Sequence, residues 1–269
     1  MNAGFSAASA VRSLGDGTYT ASLPVEWTVG PKPHGGFLLA VLARAAVHAV
    51  GSRVASDELA PLVVSGQFLR SPEVGPVLVR TDVRRVGRTA SVVNAVLEQR
   101  GRSCVEVSVT VGVLPSSVPE YSALPEMEGE PPADAVDLAS STPRGVFNLS
   151  SVCDVRLDPR TAGFLFGRVG DPLELTLWAR PRGERPDPYF ALVVGDISMP
   201  VTFNLGRFGW SPTVQLTALV RGVPAVGWLR ARFSCSSVAG RWFDEDAVIL
   251  DSSGALVCQA RQLALTPAD

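Results

Sequence analysis

Residues 35–50, "GGFLLAVLARAAVHAV", do most to limit what this chain can become. Pro31 and Pro33 break the preceding pattern, and the spacing predicts a helix that begins near Gly35. Its apolar positions Phe37, Leu38, Leu39, Val41, Leu42, Ala45, Ala46 and Val47 cover most of the circumference. A helix apolar nearly all round has no face for water, so its own domain has to enclose it. The run is too short for a bilayer, which takes about 20 residues, and Arg44 interrupts it.

The segments that follow supply the enclosure. "LVVSGQFLR" (62–70), "PVLVRTDVRRVG" (76–87), "TASVVNAVLEQR" (89–100) and "SCVEVSVTVGVL" (103–114) alternate with period two, and "EQRGRS" is a tight hairpin turn between the last two. Ahead of the helix, "TYTASLPVEWTV" (18–29) alternates as one strand or two. One buried helix followed by long antiparallel strands is an α+β pattern. At 115–145 the character changes to a Pro-, Ser- and acid-rich stretch with weak periodicity, which reads as a linker between half-domains.

The second half then repeats the plan. "LELTLWARP" (173–181) is a strand, Asp187 stands as N-cap before Pro188, and "YFALVVGDISMP" (189–200) is a short apolar helix stopped near Pro200. Strands follow at 212–222, 227–240, 241–251 and 255–265. The hairpin "LEQRGRSCVE" has its counterpart in "LDSSGALVCQ", and "FLRSPEVGPVLVR" in "LVRGVPAVGWLRAR". Order and spacing agree, which suggests a duplicated unit. The expected division is an N-terminal unit (1–114), a linker or crossover (115–148) and a C-terminal unit (149–269).

Composition narrows the function classes. With 46% apolar and 19% charged residues, the chain can bury a substantial core. A formal charge of -2, with arginines scattered and no basic block, argues against nucleic acid as a partner. Cys104, Cys153, Cys235 and Cys258 form no CxxC pair, and His34 and His48 are the two histidines, so no zinc site is expected. The cysteines read as reduced thiols. "MNAGFSAASAVRSLGDG" has neither a charged n-region nor a long apolar h-region. A soluble cytoplasmic protein with no membrane span is the expectation.

"HGGFLLAVLARA", "SGQFLRSP", "VVGDISMP", "WSPTVQLT" and "CQARQLAL", taken together, resemble the bacterial acyl-CoA thioesterase II group and its actinobacterial thioesterase-like relatives. The resemblance implies a double hotdog fold: two antiparallel sheets, each wrapped around a central helix, in tandem in one chain. It implies hydrolysis of a fatty acyl-CoA or related acyl thioester, with Asp196, Thr213 and Gln262 as the catalytic constellation and no metal or cofactor. Oligomers from dimers upward are compatible with it. The departures "VQLTALVRG" and "RQLAL" from the family pattern keep a non-catalytic acyl- or acyl-CoA-binding protein on the same fold as the alternative.

The residues carry their own weight. Asp196, within "FALVVGDISM", has no obvious solvated face, and a buried carboxyl with a raised pKa suits a general base. A nucleophilic role through an anhydride stays open, as does a helix-end Asp bonded to local backbone. Thr213, at the start of a strand, holds a water or the carboxylate, or is structural. Gln262 shares a face with Cys258, Ala260 and Ala264, and is either a core amide or a clamp for substrate and water. His34 reads as an acid or base, as an element near the thioester beside Gly35 and Gly36, or as packing at the helix start. The two glycines permit close approach of backbone or ligand.

Overall fold

The computed structural model describes residues 4–54, 58–143, 145–170 and 172–267. Helix α1 (Gly35–Gly51) starts where the glycine pair predicts. Phe37, Leu39, Val41 and Leu42 on it are fully buried, each stabilising the fold by about 1.5–3 kcal/mol. Arg44 does not break this enclosure. Its guanidinium pairs with Asp187 at 2.9 Å, takes Ser9 Oγ as a second acceptor at 2.8 Å, and lies 4.0 Å above the Tyr189 ring.

Around α1 stand β1 (Thr18–Leu23), β2 (Leu59–Phe68), β3 (Gly75–Arg85), β4 (Ala90–Gln99) and β5 (Arg102–Val113). The hairpin between β4 and β5 turns on Arg100 and Gly101, both at positive φ, as the "EQRGRS" signal requires. The second half contributes β6 (Glu174–Pro181), helix α2 (Pro188–Val194), β7 (Thr213–Val220), β8 (Leu229–Ser234), β9 (Trp242–Leu250) and β10 (Leu256–Leu265). Asp187 caps α2 by accepting from Phe190 N–H at 2.7 Å.

The spatial order of the strands is β1-β3-β4-β5-β2-β7-β10-β9-β8-β6, extended at both edges by shorter strands. In each half the strand after the helix pairs with the last strand of that half. Two separate sheets are expected from sequence, but hydrogen bonding makes one. β2 pairs antiparallel with β7 from Gln67↔Gln215 to Val63↔Leu219, so the described strands belong to a continuous 14-stranded sheet, apart from one two-stranded ribbon. Joining the halves this way removes two open edges at the centre of the molecule.

Two further differences matter for the site. The second helix ends at Val194, not near Pro200; Gly195 and Asp196 continue as a turn, with Asp196 N–H bonded to Val193 O and Ile197 N–H to Val194 O. The stretch 115–148 is tied down at several points. Trp178 Nε1 donates to Glu128 O at 2.8 Å, Arg230 donates to Met127 O, and Gly30 N–H donates to Val146 O at 2.7 Å. Beyond it, the short alternating stretch Cys153–Leu157 also forms a strand against β6. No helix among the described residues is long and apolar enough to cross a membrane.

Candidate active site

The first turn of α1 leaves backbone N–H groups without helical acceptors, and the fold spends them on the site. His34 N–H donates to Trp27 O at 2.9 Å. Phe37 N–H donates to His34 Nδ1 at 3.3 Å, so the histidine is the N-cap of α1. Gly36 N–H donates to Asp196 Oδ2 at 2.7 Å. Since His34 Nδ1 accepts, Nε2 carries the ring proton and donates to Asp196 O at 2.9 Å.

Asp196 thus meets the positive end of a helix dipole from the other half of the chain. Its side chain is 8% exposed, and burial pushes its carboxyl above the usual range, with the His34 ring and the Gly36 N–H pulling the other way. Both glycines are required by this approach. A Cβ on Gly36 would lie 2.6 Å from Leu192 O and 2.9 Å from Val193 Cα; one on Gly35 would lie 2.6 Å from Asp196 Oδ2.

Thr213 reaches the same place through an irregularity. Gln215 pairs with Leu263 and Thr217 with Arg261, all on the outward face. Strict alternation would send Thr213 outward with them. Instead the register shifts between Thr213 and Gln215, so that Thr213 stands opposite Ala264, an inward residue. A bulge of this kind re-aims a side chain at the cost of one ladder pair. Thr213 Oγ1 then donates to Gln262 Oε1 at 2.5 Å. Gln262 lies on the inward face with Cys258, Ala260 and Ala264, as the alternation predicts, and its Nε2 donates to Glu245 Oε1 at 2.9 Å.

Asp196, Thr213, Gln262, His34 and Gly35 all line one cavity of about 690 Å³. Its other walls are mainly apolar, among them Leu38, Phe68, Phe147, Met199, Phe203 and Phe243, and Lys32 and Arg70 stand at it as well. A space of this size and lining suits a small molecule with a long apolar part and one reactive polar group. Gly36 lies behind the wall, where its N–H holds the carboxylate. No hydrogen bond joins Asp196 directly to Thr213 or Gln262 among the described residues. Nor does any group of three His, Cys, Asp or Glu side chains there stand in an arrangement that holds a metal ion.

Locally the sequence offers His34 no carboxylate; the fold brings Asp196 to it from 162 positions away, Oδ2 at 3.7 Å from Nε2. Sequence reasoning missed Glu245 and Ser198. Glu245 is 2% exposed, and burial pushes it up to about 7. Its signal was present: in "WFDEDAVIL" it takes the place of an apolar residue in step with Phe243, Ala247 and Ile249.

Two family models match the chain, one for an acyl-CoA thioesterase N-terminal domain over residues 23–112 and one for an acyl-CoA thioesterase C-terminal domain over residues 123–266. An uncharacterized protein of Mycobacterium tuberculosis (strain ATCC 25618 / H37Rv) is 39% identical over 292 residues, covering 100% of both chains. Among solved structures, one from Thermobifida fusca YX, provisionally assigned to thioesterase II, is 30% identical with a TM-score of 0.87, covering 98% of this chain and 97% of that one. A conserved protein of unknown function with a hot dog fold from Alicyclobacillus acidocaldarius aligns with a TM-score of 0.83 at 19% identity, covering 98% of each chain, and shows the fold alone.

Proposed function

Because the chain belongs to the acyl-CoA thioesterase family, and so is a thioester hydrolase by class, we propose that it hydrolyses an acyl-CoA with a water activated by Asp196. The observation that carries the proposal is the meeting of three distant segments at one apolar cavity: the Asp196 turn, the bulged Thr213 and the inward Gln262. In this reading a water sits between Asp196 and the Thr213–Gln262 pair. Asp196 accepts its proton as the oxygen attacks the thioester carbonyl. The proton then passes to the departing CoA sulfur, giving a free acid and a thiol. Three first-turn donors of α1 are already engaged, so the Gly35 N–H on the cavity wall is the one left for the developing oxyanion.

His34 acts here as a cap and as the brace of the Asp196 backbone. Gly35 and Gly36 bring helix and turn together. The same reading extends to architecture: residues 1–114 and 149–269 form two tandem hotdog units, a double hotdog with 115–148 as the crossover. The matching strand order in the two halves supports this.

The test follows free thiol on incubation of the purified protein with acyl-CoAs of several lengths. Turnover is expected for at least one length, and Asp196→Asn is expected to lower kcat by about 10²–10⁴-fold. Full activity in Asp196→Asn ends the mechanism. Tight acyl-CoA binding by the unaltered protein without hydrolysis at any length makes it a binding protein instead.

A further inference from the structure

Glu245 is a carboxylate at a position patterned for an apolar side chain. It points inward from β9 and stands directly opposite Gln262 in the β9–β10 register. A carboxylate buried there needs several partners, and three donors reach it. Gln262 Nε2 donates to Oε1 at 2.9 Å, Ser198 Oγ to the same oxygen at 2.6 Å, and Val201 N–H to Oε2 at 3.2 Å. Ser198 lies two residues beyond Asp196. One side chain therefore bonds both to the turn that carries Asp196 and to the amide that holds Thr213.

The amide of Gln262 has a donor end and an acceptor end. With the donor end committed to Glu245, the acceptor end faces Thr213, whose hydroxyl donates to it at 2.5 Å. That uses the single proton of Thr213, and the cavity is left with its lone pairs. A water bound there donates one proton to Thr213 and the other to Asp196, keeping an oxygen lone pair for the carbonyl. Reversal of the amide would turn the Thr213 proton toward the water and occupy that lone pair.

We propose that Glu245 is a positioning residue that fixes the Gln262 amide, and through it the acceptor side of Thr213, while holding the Asp196 turn at a set distance from the pair. The inference rests on the catalytic reading of Asp196, Thr213 and Gln262. Its ionised form is the one that accepts all three bonds. Burial is the largest influence on the Glu245 carboxyl and the Asp196 charge adds to it, the Ser198, Val201 and Gln262 donors pull the other way, and the balance lies at about 7. Asp244, Asp246 and Arg261 alternate onto the opposite face of β9 and β10; among the described residues Asp196, backed by His34, bears on it from the turn, and the Cys235 thiol just past β8 feels its charge. Activity therefore gains a limb that rises with pH as Glu245 ionises.

The experiment is a double-mutant cycle on the full chain with Glu245→Gln and Gln262→Ala, reading kcat, KM, the pH profile and the melting temperature. Glu245→Gln is expected to lower kcat by about 10- to 100-fold with KM within about two-fold. It is also expected to remove the limb near pH 7, and to cost clearly less in the Gln262→Ala background, where only its hold on the Asp196 turn remains to be lost. An equal loss in both backgrounds, or no loss in the first, overturns the positioning role and leaves the catalytic reading standing. Unchanged kcat in Gln262→Ala alone overturns the catalytic reading of Gln262, and this inference with it. If Glu245→Gln does not fold, the side-chain amide resonances of Gln262 in the unaltered protein, assigned by their loss in Gln262→Ala, give the same answer. They are expected to titrate near pH 7, and a flat response overturns the proposal.

Discussion

Replacing Gly36 with alanine perturbs the closest backbone approach in the site. The added Cβ would stand 2.6 Å from Leu192 O, 2.9 Å from Val193 Cα and 3.0 Å from Asp196 Cβ, where ordinary contact begins at 3.4 Å. Two of the three neighbours are backbone, so relief requires α1 and α2 to separate by about 0.8 Å at the tightest contact. Overpacking of this kind costs about 1–3 kcal/mol. Alanine regains up to about 1 kcal/mol of helix propensity over glycine, leaving a net loss of up to about 2 kcal/mol. For a chain of this size that is a fall in Tm of up to about 8 °C. Activity should suffer more. The same separation stretches the 2.7 Å bond from Gly36 N–H to Asp196 Oδ2 beyond useful length. A misplacement approaching 1 Å at a reacting group lowers rate by about 100-fold. The assay pairs thermal melting with initial rates of thiol release, and Gly51→Ala is the control. At Gly51, in the last turn of the same helix, an added Cβ meets nothing within 4 Å, so neither readout should fall. A Gly36→Ala protein with unchanged Tm and kcat within about two-fold of the original would refute the argument from close approach.

Thr213→Val keeps the shape of the side chain but leaves Gln262 Oε1 without its donor, at about 1–3 kcal/mol. Its kcat should drop by about 10- to 100-fold while Thr213→Ser stays near the original, and equal rates for the two would count against the hydroxyl. Stability should also depend on pH through Glu245. Its pKa rises from 4.5 to about 7 on folding, so the folded state binds the proton more tightly. The stability this contributes is fully present below about pH 4.5, is lost as pH rises through about 7, and totals about 3 kcal/mol. Urea melts of the unaltered protein and Glu245→Gln at pH 5 and pH 8 read the difference directly. A difference that does not change with pH would sink this account.

Much of the fold was legible because it is written in short periods. The strands at 76–87, 89–100 and 255–265 are found at Gly75–Arg85, Ala90–Gln99 and Leu256–Leu265. Gln262 could be assigned to the inward face from alternation alone, and Arg100-Gly101 marked its hairpin by turn chemistry. The strand at Cys153–Leu157 alternates as C-D-V-R-L but runs for only five residues, too short to stand out beside the long strands. The second helix was drawn too long because apolar residues continue past Gly195, whereas the backbone there passes into turns.

What the sequence by itself determined is local: an enclosed helix behind two glycines, strands with one apolar face, a repeated order of elements, and a lone aspartate in an apolar segment. Only the tertiary structure decided what those parts meet. The pairing of β2 with β7 made one sheet of two strand sets. A bulge, invisible to period-two reasoning, turned Thr213 inward. Asp196 acquired its partners, Gly36 N–H and His34, from about 160 residues away, and Glu245 became the bridge between two halves of a site. The physical reason is that periodicity records which side of an element avoids water. Register and the approach of one helix end to another depend on contacts between distant segments, and those take definite values only once the whole core has packed.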